Sequence, residues 1–146
     1  MGRLLSIDYG RRRCGIAVTD SLQIVANGLE TVATKDLMSF LKRYMEGERV
    51  DRIIVGLPRD VHGNESESMR YIRPWVQRAR KELGGVELEF FDERFTSVLA
   101  HRSMIDSGMK KMQRRDKATV DTMAAAIILN DYLQSKQYKE QTTELI

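Results

Sequence analysis

The sequence predicts an α/β protein built on a five-stranded mixed sheet, a three-strand antiparallel meander plus parallel strands, flanked by helices on both faces. Two observations carry this. Three strand-like runs follow one another closely before residue 35, with short turns between them. After them the apolar period lengthens, and helical and strand-like stretches alternate. Strands joined by helical crossovers run parallel, and such a sheet needs cover on both faces.

The first strand is "RLLSIDY" (3–9), stopped by Gly10. The second is "CGIAVTD" (14–20), where Ile16 and Val18 alternate with small or polar neighbours. "IVANGLETVAT" (24–34) reads as a third, weaker strand, since Gly28 interrupts it. Leu37, Phe40, Leu41, Tyr44 and Met45 then follow helical spacing. Thr34 is the candidate N-cap of that helix, with Asp36 in its first turn. "RIIVGLP" (52–58) is a short buried strand. A loop, "RDVHGN", precedes a helix from about Glu65 to Leu83 with the stripe Met69, Ile72, Val76, Ala79 and Leu83. Pro74 should kink that helix or end its first part. "GVELEFFDE" (85–93) is the fifth strand. Thr96 is placed to cap a further helix that stops at Gly108. "MKKMQRRDK" (109–117) is a basic loop, and Asp116 can cap a last helix running to about Lys136. Residues 1–137 form one domain and 138–146 a polar tail.

A chain of 146 residues is long enough to bury a core without staples. Its one cysteine, Cys14, excludes an internal disulfide and suits a reducing compartment. The opening "MGRLL" is too quickly charged for a signal peptide, and no apolar run has the length of a membrane span. The expectation is a cytoplasmic protein that does not engage membranes. Net charge is only +3, but basic residues cluster at Arg11–Arg13, Arg70–Lys81 and Lys110–Lys117. Such patches can neutralise phosphates, although each can equally be a solvated surface.

The crossover rule makes strands one, four and five parallel, so their carboxyl ends share one edge. Ligands of open α/β sheets bind at that edge. Asp8, the Gly56-Leu57-Pro58 turn, Asp92 and Glu93 all fall there. Asp8 can also open a turn, and Asp92 or Glu93 can cap a helix. On the last helix Asp121 starts a face continued by Ala124, Ala125, Ile128 and Tyr132. A carboxylate on a packing face is costly unless paired, for instance with Arg94, or bound to a cation. Three carboxylates around a small volume would suit Mg²⁺ or Mn²⁺. Two such ions ~3.5–4 Å apart can activate water and stabilise the leaving oxygen of a phosphodiester. Zinc spacing, a Walker loop and GxGxxG are all missing, and His62 and His101 stand alone.

Four blocks, "IDYGRRRCGIAVTD", "IIVGLPRDVHGNE", "DERFTS" and "VDTMAAAIILNDYL", resemble in order and spacing the signatures of the YqgF/RuvX-like family. The resemblance spans about Leu4 to Leu133. It implies a ribonuclease-H-like fold and a nuclease: either a Holliday-junction resolvase or an enzyme maturing the 5′ end of 16S ribosomal RNA. It also implies that Asp8, Glu93 and Asp121 are catalytic and hold Mg²⁺ or Mn²⁺, with Asp92 able to replace Glu93. Arg12, Arg13 and Arg94 match basic positions that would hold phosphates. Gly10, Gly15, Gly56 and Gly63 match turns. Cys14 stands where the family has an aliphatic residue, and "FTS" replaces "LTT". Gly-Leu-Pro stands where many ribonuclease-H-like nucleases carry an acid at the end of strand four. The partner implied is structured RNA, with branched DNA as the alternative, bound by a monomer or homodimer. An actin-like phosphotransferase would need a second domain, and a binding module without catalysis would not need three acids.

The basic loop generates a first prediction. If Lys110, Lys111, Arg114 and Arg115 grip phosphates, changing all four to Ala weakens binding about equally for all sequences. Each phosphate left without its cation lowers the slope of log affinity against log salt by roughly 0.7–0.9. A salt titration of binding checks this, and an unchanged slope makes the loop a solvated surface.

Overall fold

The computed structural model describes residues 2–60, 62–93, 117–135 and 138–139. Strands β1 (Arg3–Asp8), β2 (Arg13–Thr19) and β3 (Ala26–Ala33) form the meander. A 3₁₀ turn (Thr34–Asp36) leads into helix α1 (Leu37–Gly47), then strand β4 (Val50–Leu57) and helix α2 (Met69–Glu82). Strand β5 (Glu87–Asp92) and helix α3 (Lys117–Leu133) complete the described elements. The expectations for Thr96, Gly108, Asp116 and the basic loop 109–116 fall outside the described residues.

The sheet order is β3-β2-β1-β4-β5. β2 is antiparallel to both β1 and β3, while β1, β4 and β5 run parallel. The interruption expected at Gly28 is a bulge: Ile16 faces Glu30 and Ala17 faces Gly28, so Leu29 is the extra residue. β1 is buried from Leu4 to Ile7 and β4 from Ile53 to Gly56, because both of their faces are covered.

Side-chain alternation divides the core in two. Leu5, Ile7, Cys14, Ile16, Ile53, Val55 and Leu88 point to α1 and α2. Leu4, Ala17, Ile54 and Phe91 point to α3. Helix α1 buries Leu37, Met38 and Leu41, with Phe40, Tyr44 and Met45 half-buried beside them. Helix α2 buries the whole expected stripe and adds Trp75, which packs on Tyr9 with ring centroids 5.6 Å apart. On α3, Ala124, Ala125, Ile128, Leu129 and Tyr132 are buried.

Two local expectations are corrected and a third is narrowed. Thr34 does not cap α1. Its hydroxyl donates to the Gly10 carbonyl at 2.7 Å, and Asp36 takes the cap position without a side-chain bond. Helix α2 begins at Met69 rather than Glu65, because Arg59 and Glu65 pair as an antiparallel bridge that keeps the chain extended. Asp60 closes that loop by accepting the N–H groups of His62 and Asn64. Of the two effects expected of Pro74, an ending is excluded, since helix α2 runs through it.

At the far end of the sheet Tyr132 is fully buried. Its hydroxyl donates to Glu89 and accepts from Arg52 at 3.1 Å. Burial and the Glu89 hydrogen bond push that hydroxyl above the usual tyrosine range. Tyr132→Phe leaves Glu89 and Arg52, both largely buried, short of one partner each. The expected cost is about 1–3 kcal/mol, read as a lower urea midpoint with an unchanged m-value.

Candidate active site at the carboxyl edge of the sheet

Asp8 is the last residue of β1 and is half-buried. Alternation puts it on the face of Leu4 and Ser6, which is the α3 face. Its antiparallel partner is Gly15. On the other side, the pairing of Ile7 with Val55 brings Gly56 next to it. Gly56 follows Ile54 on the same face.

Glu93 lies one residue beyond β5 and is 4% exposed. Its Oε1 is 3.4 Å from where a Cβ on Gly56 would stand. The Ile128 Cδ1 of α3 is 2.9 Å from the same point. The missing side chain of Gly56 is therefore the space into which the Glu93 carboxyl and Ile128 close. Asp8 and Glu93 flank Gly56 on one face of one edge.

Asp92 turns the other way. It forms an ion pair with Arg59, whose Nε donates at 3.0 Å. The hydrogen bond to Asp92 raises the Arg59 pKa. The sequence leaves Asp92 and Glu93 interchangeable; in the structure an arginine holds the first, and the second is buried beside Gly56. Arg59 escaped the sequence reading. The register of β4 on β5, which pairs Leu57 with Asp92, is the signal that would have found it.

Asp121 lies in the first turns of α3. One turn later, the Ala125 carbonyl accepts the Ser6 hydroxyl at 2.7 Å. The helix runs antiparallel to β4: Tyr132 sits by Arg52 at its start and Ile128 by Gly56 near its end. Continuing back towards Asp121 moves toward the carboxyl edge, on the face of Asp8 and Glu93. The side chain of Asp121 is outside the described residues, as are Arg94, Lys110, Lys111, Arg114 and Arg115 altogether. Among the described residues no three His, Cys, Asp or Glu side chains surround one point.

The turn after Asp8 carries Arg11, Arg12 and Arg13, all exposed. Gly10 makes the turn possible, since a Cβ there would stand 2.3 Å from the Arg13 carbonyl oxygen. The Arg12 carbonyl accepts the Thr34 N–H at 2.9 Å, which ties the turn to α1. Beneath it, burial pushes the Tyr9 hydroxyl pKa up. The edge thus combines carboxylates on the α3 face with a fixed cationic turn beside them.

A meander extended by two parallel strands, with an acid closing β1 and another just past β5, is the ribonuclease-H-like architecture of nucleic-acid hydrolases. Within that class the chain belongs to the RuvX family, described as Holliday junction resolvase, whose model matches residues 2–135. It is 55% identical over 138 residues to a Phocaeicola vulgatus protein named "Putative pre-16S rRNA nuclease", covering 94% of this chain and 99% of the relative. Relatives of the same name in Bacteroides fragilis and Porphyromonas gingivalis are 50% and 49% identical. They cover 94% and 92% of this chain, and 99% and 98% of their own lengths. The chain is a phosphodiester hydrolase of this family.

The space over Gly56 makes a second measurable claim. Gly56→Ala must displace the Ile128 Cδ1 and sets a methyl against the Glu93 carboxyl. The expected destabilisation is about 1–3 kcal/mol, and if Glu93 takes part in the chemistry, cleavage falls further than stability explains because the added methyl crowds its carboxyl. Thermal melting and a cleavage assay at a temperature where the variant is fully folded separate the two effects.

Proposed function

We propose that this protein is a metal-dependent nuclease acting on structured RNA in the cytoplasm, with 5′-end processing of pre-16S ribosomal RNA as its role. The observation that carries the reading is the near-complete burial of Glu93 beside Gly56, on the face and edge that also hold Asp8. Burying a carboxylate is expensive, so a buried one is paired or held by a cation, and perturbed carboxylates of this kind cluster at functional sites. The names of the relatives favour the RNA substrate.

The donor chemistry fits a hard divalent cation. Asp8 and Glu93 offer carboxylate oxygens, and Asp121 would add a third acid from α3. When bound, Mg²⁺ or Mn²⁺ would supply an acidified water and offset charge on the leaving oxygen. The chain's own residues do the rest. Arg12 and Arg13 draw the phosphate backbone to the edge. Ile128 and Gly56 form an apolar wall that keeps bulk water from the Glu93 side and strengthens every charge interaction near it. The Arg59 pair withdraws Asp92 from competition.

A second reading, resolution of branched DNA, is favoured by the description of the matching family. A four-way junction has two-fold symmetry, so that activity calls for two copies of the chain. Purified protein incubated with a pre-16S leader and with a synthetic junction, each with Mg²⁺, Mn²⁺ or EDTA, decides between them. Cleavage of the leader that EDTA stops is the expected result. Asp8→Asn keeps the side chain's shape and removes its charge. It should cut the leader at below about one thousandth of the normal rate, with affinity unchanged or higher. A variant that still cuts normally makes the acids structural.

A further inference from the structure

On the α2 side of the same edge, Arg11 and Arg70 gather around Tyr71. The Arg11 guanidinium lies 4.9 Å from the Tyr71 ring centroid, and that of Arg70 lies 5.9 Å away. Tyr71 is 37% exposed, and both arginines are exposed. The position is fixed from beneath. Trp75, one turn along α2, packs on Tyr9, and Tyr9 directly follows Asp8. Arg11 is itself three residues past Asp8.

Charge separates this cluster from the other arginines nearby. Arg59 is spent on Asp92, and Arg73, which lies over Phe90, is paired with Glu65. Among the described residues neither Arg11 nor Arg70 has a carboxylate within ion-pair distance. Among the described residues, these two guanidiniums over one exposed ring lack the ion pair that a structural cluster normally has. They are a poor device for stability, since a surface cation–π contact contributes little and the two cations repel each other. They are a good device for a ligand that is both anionic and flat.

We propose that Arg11, Tyr71 and Arg70 form a subsite for an unpaired nucleotide that flanks the cleaved bond. The inference rests on the nuclease reading above. The base stacks on the tyrosine and guanidinium planes, as bases of single strands do on aromatic and arginine side chains. The guanidinium edges hold the flanking phosphates. Stacking tolerates any base, so the subsite selects for an unpaired segment next to structured nucleic acid, not for sequence. A base inside a duplex has its faces covered and cannot enter.

The test uses the full-length protein in EDTA, with binding read by fluorescence anisotropy. One probe is an RNA hairpin with a single-stranded flank; the other is the same hairpin with a blunt end. Tyr71→Ala should weaken the flanked hairpin roughly 5- to 150-fold and leave the blunt one within twofold. Tyr71→Phe should bind the flanked hairpin like the wild type, because the ring is kept. Arg11→Ala and Arg70→Ala should each lower the salt slope on the flanked probe by roughly 0.7. These two side chains are exposed, so the question survives even if Tyr71→Ala unfolds. Alanine variants that bind the flanked hairpin like the wild type, or weaken on both probes equally, overturn the subsite while wild-type cleavage leaves the nuclease reading intact. A wild type that neither binds nor cuts either RNA overturns both.

Discussion

The close approach of α3 to the sheet is the constraint on which the carboxyl edge depends. A helix normally rests on a sheet through large side chains. Here the contact runs through Ala124 and Ala125, 3% and 0% exposed, and through two glycines beneath. A Cβ on Gly28 would stand 2.9 Å from the Cβ of Thr122, and one on Gly56 equally close to Ile128. The buried Ser6 hydroxyl spans the remaining gap to the Ala125 carbonyl. A helix carbonyl has a second lone pair, so this bond pins α3 to β1 without breaking the helical ladder. Interiors packed at this density transmit small displacements. A shift of α3 therefore moves Ile128, and with it the wall beside Glu93.

Alternation along the strands then sorts the acids. Asp8 shares its face with Ser6, and Phe91 sets the face of Glu93, so both meet the α3 side. Asp92 falls between and meets Arg59 on the other. Two neighbouring residues of the same charge thus receive opposite environments. One is neutralised by an arginine with which it is largely buried. The other is lodged against Ile128 and a bare glycine backbone. No choice of side chain at position 92 would reach the α3 face as Glu93 does, because the pleat and not the chemistry decides which face is reached.

Much of this was legible in the residues, and for identifiable reasons. Helical period marked α1 and α3 well because their apolar faces are continuous. Ala124, Ala125, Ile128 and Tyr132 lie buried as their spacing required. The parallel run of β1, β4 and β5 followed from chain order alone. What was not legible depends on partners distant in sequence. Thr34 looked like a cap, because capping is local and its true acceptor, the Gly10 carbonyl, lies 24 residues away. Met69 as the start of α2 depends on the Arg59–Glu65 bridge, which no propensity announces. Trp75 sits inside a basic helix, where its burial is visible only once Tyr9 is known to lie opposite. The different surroundings of Asp92 and Glu93 needed the register of β5 on β4.

The three arginines that follow Asp8 belong to the same logic. A cluster of carboxylates repels a polyanion, and in a partly apolar setting it repels it strongly. A substrate made of phosphates must therefore be held by groups outside the carboxylate face and delivered across the edge to it. On the proposed reading the Gly10 turn does this in a short length of chain. It carries the backbone from Asp8 into Arg11, Arg12 and Arg13 and returns it at once as β2, antiparallel and hydrogen-bonded to β1. Because β2 is locked on both sides, by β1 and by β3, the turn is held at its two ends and tied again through Thr34. Attraction and repulsion are thus placed a few residues apart on one rigid hairpin. That is why an acid at the end of a buried strand and cations beside it are not in conflict: on the proposed reading the cations bring the phosphates in, and the acid meets them through a divalent ion.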